Sequence, residues 1–256
     1  MTLGQLLSFS AGIRGNNPCY VNGEETEIDP PGPDGWQGME DDRAVGKIEE
    51  NFADGKPFSA KELWREPGGG YSYATASIHI VSMMVRHIAE RELEQYIRDR
   101  VAGVLGWSAW GFGYKNTEAG KHTPGGGGIA IRGSDMLRFL YMLLQGGKWG
   151  DQQVVPAEYV AHCSLASVYN PHYPYSLQFT INSTGHAPEL PSDAYWKAGS
   201  GGHALYVIPS LGVTIVRLAE LDLAAALRGE QGKWSDYEFI QLALEAVDTK
   251  APPPSN

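Results

Sequence analysis

Glu66 to Ser77 reads EPGGGYSYATAS: three glycines behind a proline, two tyrosines, and then the start of an apolar helical pattern. A loop this permissive can hold a phosphate, form an ordinary turn, or aim a phenol at a ligand. A phosphate loop needs a preceding strand and a Lys-Ser/Thr pair at the helix start. Neither this stretch nor the second glycine run, TPGGGGIA at 123–130, has them. The glycines therefore read as a turn that delivers Tyr73 to the edge of a cleft.

Downstream, residues 76–104 follow a helical period, with Ile80, Met84 and Ile88, then Leu93, Ile97 and Val101, on one side and a break near 90–92. Upstream, MTLGQLLSFSAGI at 1–13 predicts a short helix, with Thr2 and Gln5 at capping-box spacing and Gly12 as its stop. Residues 14–40 predict a long loop and 41–52 a helix. Ser134 is placed to cap the helix SDMLRFLYMLLQ, which Gly146 and Gly147 end, and Pro156 opens a short helix through Cys163. The period then changes to two. YSLQFTI, AYWKAG, HALYVIP and VTIVRLAE predict strands, the last two joined by Pro209-Ser210-Leu211-Gly212. Ser235 and Glu238 form a capping box before the helix FIQLALEAV. Helices followed by an antiparallel meander give an α+β class. The expectation is one domain over 1–250: helices over 1–165, strands over 172–220, a helix at 235–248, and a tail at 251–256.

The 256 residues and 42% hydrophobic content suit a globular core, and the formal charge of −10 argues against nucleic acid as a partner. There is no apolar run of membrane-spanning length and no signal-peptide pattern. Cys19 and Cys163 read as two unpaired thiols, one in a loop and one on a helix. No Cys/His spacing suggests a metal, and no motif suggests a cofactor.

Around Ser200, AGSGGH imitates a nucleophile elbow. A strand follows it where an elbow needs a helix, and His203, the last histidine, comes only three residues later. YWKAGSGG reads better as a strand carrying Lys197, Ala198 and Gly199 near its end. A substrate can lie against that edge, the glycine allows close approach, and the Ser200 amide can face an oxyanion.

Taken in series, four segments resemble the serine β-lactamase-related hydrolases, which include class C β-lactamases, family VIII esterases, D-alanyl-D-alanine carboxypeptidases and related amidases. MTLGQLLSFSAGI resembles their ITLRHLLTHTSGL. The run from Glu66 to Trp107 resembles PGxxFxYSNxxYxLLGxIIExVSGxSxxEYxxxxIFxPLGM. GGGGIAIRGSDMLRFLYMLLQGGKWGDQQVVPAEYV resembles GGLxSTAxDLARFxxLLLNGGxxxGxxxLSxExV. KAGSGGHALYVIPSLGVTIV resembles the Lys/His-x-Gly strand and its hairpin. The resemblance implies a β-lactamase/transpeptidase-like fold, an antiparallel sheet flanked by helices. It makes Tyr73 the tyrosine of the Tyr-x-Asn box, with Thr75 where asparagine is usual. Lys197, Ala198 and Gly199 match the Lys-Thr-Gly box, and the Ser200 amide matches an oxyanion donor. Tyr73 and Lys197 would shuttle protons. The phenol, of ordinary pKa ~10, needs cations nearby to act near neutrality.

One departure stands out. No serine has lysine three residues later; the nearest imitation is Ser59-Ala60-Lys61. At i, i+3 on a helix the two share a face, and at i, i+2 they diverge. The family's N-terminal strands and nucleophile helix would then lie upstream of Met1, or the protein does without them. VTIVRLAE would then be an open edge, which a homodimer or another chain would cover. The expected function is hydrolysis of an ester, amide or β-lactam through an acyl-enzyme, inactive or impaired in these residues alone. The alternative is a non-catalytic descendant that binds through the cleft or the open edge. Recruitment of Ser200 or Ser72 as nucleophile is a minor third reading. The family is often periplasmic or extracellular, and the sequence assigns no location.

Overall fold

The computed structural model describes residues 1–15, 18–26, 63–113, 121–199, 201–219 and 236–247. The chain forms two compact units, Met1–Ile131 with Ala166–Gln178, and Arg132–Leu165 with Phe179–Asn256.

In the first unit, α1 (Leu3–Leu7) starts with the predicted capping box: Thr2 Oγ1 accepts from the Gln5 amide at 3.3 Å, and Gln5 Oε1 accepts from the Thr2 amide at 2.8 Å. The predicted loop after Ile13 contains a hairpin, β1 (Cys19–Val21) against β2 (Glu24–Thr26), turned by Asn22 and Gly23, both at positive φ. Cys19 thus lies on a strand and not in a loop. Helix α2 (Thr75–Ala89) ends at Glu90 in the left-handed region, φ 53°. Helix α3 (Leu93–Ile97) runs on through a π turn, Arg98–Ala102, to a last turn at Gly103–Leu105. The break at 90–92 falls where expected, and Ile80 and Met84 face the core as expected, but Ile88 does not. Ile80 and Met83 are buried with Leu6, Ala11, Ile13, Ala74 and Ala76, while Ile88 is 77% exposed. The buried positions Ala76, Ile80 and Met83 follow i, i+4, i+7, and Ile88 lies outside this cluster.

The turn between α2 and α3 is held by Glu92. Its carboxylate accepts from Arg86 Nε at 2.7 Å and the Thr123 amide at 3.0 Å, and it meets His122 Nδ1 at 2.9 Å. Burial pushes this carboxyl up, but the Thr123 amide, Arg86 and His122 together hold it below its ordinary value. Thr123 starts the second glycine run, so the run is fixed at its entry. Further along, Gly125 packs on the Ile78 carbonyl and Gly126 on Thr75, with no space for a β-carbon at either. The run leads into the hairpin β3 (Trp110–Phe112) with β4 (Ile129–Ile131).

In the second unit, α4 (Gly133–Leu144) begins one residue before Ser134. Arg132 occupies its N-cap and no side chain caps it. The hairpin β5 (Lys148–Trp149) with β6 (Gln152–Gln153) follows, and then α5 (Ala157–His162), with Pro156 at its N-cap. Strands β7 (Phe179–Ile181), β8 (Tyr195–Gly199), β9 (His203–Ile208) and β10 (Val213–Arg217) lie in the antiparallel order β10-β9-β8-β7. The predicted strand 175–181 is broken, because Leu177 and Gln178 take positive φ and the Gln178 amide and side chain both donate to the Leu7 carbonyl. Pro209–Leu211 form a 3-10 turn closed by Gly212 at φ 63°. Helix α6 (Asp236–Glu245) brings Ile240 onto Trp196, Ala204, Tyr206 and Ile208. The Ser235–Glu238 capping box and the helix expected at 41–52 lie outside the described residues, as does the 251–256 tail.

Cys19 and Cys163 are both buried free thiols. Among the described residues no helix is long and apolar enough to cross a membrane, and no acidic, histidine and cysteine side chains cluster as a metal site.

Candidate functional site

Tyr73 is set in place by its neighbours before any function is considered. Gly70 has no room for a side chain: a β-carbon would stand 2.6 Å from the Trp64 ring and 2.7 Å from the Tyr20 carbonyl. Tyr71 then exchanges two backbone hydrogen bonds with Tyr20, at 2.8 and 2.9 Å. The Ser72 amide donates to the Phe9 carbonyl at 3.0 Å, and Ser72 Oγ accepts from the Gly15 amide at 2.8 Å. Gly15 in turn lies so close to the Tyr73 carbonyl that a β-carbon could not be placed there. The Tyr73 ring is half-buried, against Phe9 at 4.5 Å between centroids and edge-on to Tyr175 at 5.9 Å. One residue on, α2 starts and carries Thr75 in its first turn, half-buried under Gly126.

The two tyrosines of the opening stretch are not equivalent. Tyr71 is 5% exposed and stacks on Tyr173 at 3.9 Å. Burial first, and the neighbouring phenols Tyr173, Tyr73 and Tyr20 after it, drive its pKa far above the ordinary value, so it stays neutral. Tyr71 is a core residue. Ser72 is fully buried, and its hydroxyl is taken by Gly15 and by the Cys19 thiol. A serine so enclosed cannot attack a substrate, so its recruitment as nucleophile is ruled out. Its role is structural, and sequence reading missed it, because nothing in the spacing of Ser72 and Gly15 announces a bond across 57 residues.

Lys197 lies in the middle of β8, opposite Leu205 on β9; Ala198 faces Ala204, and Gly199 faces His203. The strand buries Tyr195 and Trp196 and then emerges, with Lys197 half-buried and Ala198 and Gly199 exposed. Burial pushes the Lys197 amine down to about 7. A buried ammonium loses hydration, so the neutral amine is favoured. At Gly199 a β-carbon would meet the His203 side chain at 3.1–3.4 Å, a tight contact. His203 Nδ1 accepts from the Ala219 amide at 3.2 Å, which puts the ring proton on Nε2 and gives His203 the task of holding the chain after β10. Ser200 lies outside the described residues.

Gly15→Ala pushes a methyl group into the Tyr73 carbonyl and should cost about 1–3 kcal/mol. Ser72→Ala leaves the Gly15 amide unpaired and should cost about the same. Urea unfolding checks both; a change below about 0.5 kcal/mol in each would contradict the clamp.

The beta-lactamase family model matches residues 1–231. No curated protein matches the chain. Among solved structures, a Bacteroides dorei DSM 17855 protein assigned as a beta-lactamase superposes with TM-score 0.71 at 17% identity, over 97% of this chain and 73% of its own. A Bacillus anthracis protein assigned as a 6-aminohexanoate-dimer hydrolase gives TM-score 0.60 at 18% identity, over 97% and 62%. The octameric penicillin-binding protein homologue of Pyrococcus abyssi gives 0.56 at 17%, over 94% and 59%. The chain thus spans about three-fifths to three-quarters of the length of these neighbours. At such identities the superpositions establish the α+β, β-lactamase/transpeptidase-like fold. With the family match over most of the sequence, they lead to one conclusion: this chain belongs to the beta-lactamase family of serine hydrolases.

Proposed function

We propose that the protein hydrolyses a small ester, amide or β-lactam through an acyl-enzyme, with Tyr73 and Lys197 moving the proton. The observation that carries this reading is the place of Lys197 in mid-β8 beside the exposed Ala198 and Gly199, where burial brings its amine down to about 7. A base of that pKa is substantially free near neutrality and still a useful proton carrier. The exposed edge at Ala198 and Gly199 receives the substrate backbone, and the Ser200 amide takes the developing oxyanion. The attacking serine in this reading belongs to a Ser-x-x-Lys helix, which these 256 residues do not contain. On their own they are therefore inactive or impaired, since no acyl-enzyme forms without that serine.

A second reading, binding without catalysis, is favoured by that same missing motif and by Thr75 in place of asparagine. Turnover of p-nitrophenyl esters and nitrocefin, together with fluorophosphonate labelling, separates the two. The catalytic reading expects residual turnover to fall tenfold or more in Tyr73→Phe and in Lys197→Met, within the range general acid–base groups supply. Turnover indifferent to both substitutions would contradict the proton-moving roles of Tyr73 and Lys197.

The same reading places a second copy of the chain at β10, which among the described residues is hydrogen-bonded on one side only, to β9. Light scattering at high micromolar concentration should give a dimer mass, and a monomer there would contradict it.

A further inference from the structure

The hydrolase reading makes no use of the tyrosines beside the opening loop. Tyr20 lies on β1, and Tyr173 lies in the 166–178 segment of the same unit. Their ring centroids stand 4.7 Å apart with the planes at 44°, and their hydroxyls share a hydrogen bond. Both rings are half-buried, and both line an open cleft of about 40 Å³ together with Asn22, Gly70 and His172. A cleft of that size with polar walls admits water. Among the described residues this is the one tyrosine pair in ring contact with neither ring buried. Tyr71 stacks on Tyr173 at 3.9 Å, but it is 5% exposed and burial holds its proton in place. Tyr175, edge-on to Tyr73, is buried as well.

Phenols held in this way have a defined chemistry. A one-electron oxidant takes an electron from each ring, and each phenolic proton leaves to water in the cleft. The carbons ortho to the two hydroxyls then join. Each ortho hydrogen passes through water to the phenol oxygen of its own ring, which restores both rings. In sum, two C–H bonds give way to one C–C bond, two electrons go to the oxidant and two protons go to water. Prior contact between the rings makes the coupling intramolecular, so it outruns encounters between chains.

We propose that Tyr20 and Tyr173 form an oxidative modification site, at which a one-electron oxidant joins the two rings as dityrosine. The new bond ties β1 to the 166–178 segment. Through the two backbone hydrogen bonds between Tyr20 and Tyr71 it also steadies the stretch that carries Tyr73. A covalent link between residues so distant in sequence restricts the unfolded chain, so the oxidised protein melts at a higher temperature. Photo-oxidation of the whole chain with ruthenium tris-bipyridyl and persulfate tests the site, with peptide mass mapping of the product that remains monomeric. The expected product shows dityrosine fluorescence, has lost two hydrogens, and joins the Tyr20 peptide to the Tyr173 peptide. The same treatment in urea should abolish that link, and Tyr71→Phe should retain it. No dityrosine in the monomer, dityrosine mapped mainly to other tyrosines, or an equal yield in urea would each overturn the proposal without reliance on a variant. Ester and nitrocefin turnover enter none of these outcomes, so the site stands or falls apart from the hydrolase reading.

Discussion

A single hydrogen bond, from the Gly15 amide to Ser72 Oγ, ties together the parts of the first unit that matter most. It is buried, so water does not compete for either partner, and breaking it would strand a donor. It holds the chain after Ile13 against the backbone of Tyr73, at an approach only a glycine tolerates. What is proposed for Tyr73 depends on that clamp. Tyr73 precedes the first turn of α2, and its ring is fixed by Phe9 and Tyr175. Rigid supporting contacts of this kind are what a site needs if a phenol is to be aimed rather than merely present.

The second unit solves a different problem. A lysine in mid-strand, flanked by buried Trp196, gives up hydration and shifts toward the neutral amine. The exposed strand end, Ala198 and Gly199, pairs with β9 and extends past the pairing of β8 with β7, which reaches only Tyr195 and Trp196. Burial of the amine and exposure of the edge arise within three consecutive residues.

Much of this was legible in the sequence, and the reasons are local. The Thr2–Gln5 capping box, the break at 90–92 and the strands β8, β9 and β10 all follow from rules that act within a few residues. Tyr73 and Lys197 were picked out by their boxes and by the chain-long family resemblance. What was missed depends on distant partners. The β1–β2 hairpin is stabilised by Tyr20 pairing with Tyr71, and the broken strand at 175–181 by Gln178 reaching Leu7. Ser72 looked like a spare nucleophile, because its bond to Gly15 spans 57 residues.

The functional account depends most on Lys197 holding a largely neutral amine near neutral pH. A pH titration of the Lys197 ammonium by nitrogen-15 NMR, assigned by its loss in Lys197→Met, reads this directly. The account predicts a midpoint at about 7, well below the ordinary 10.5. A midpoint near the ordinary value would mean a hydrated, permanently charged lysine, and would contradict its assignment as the base.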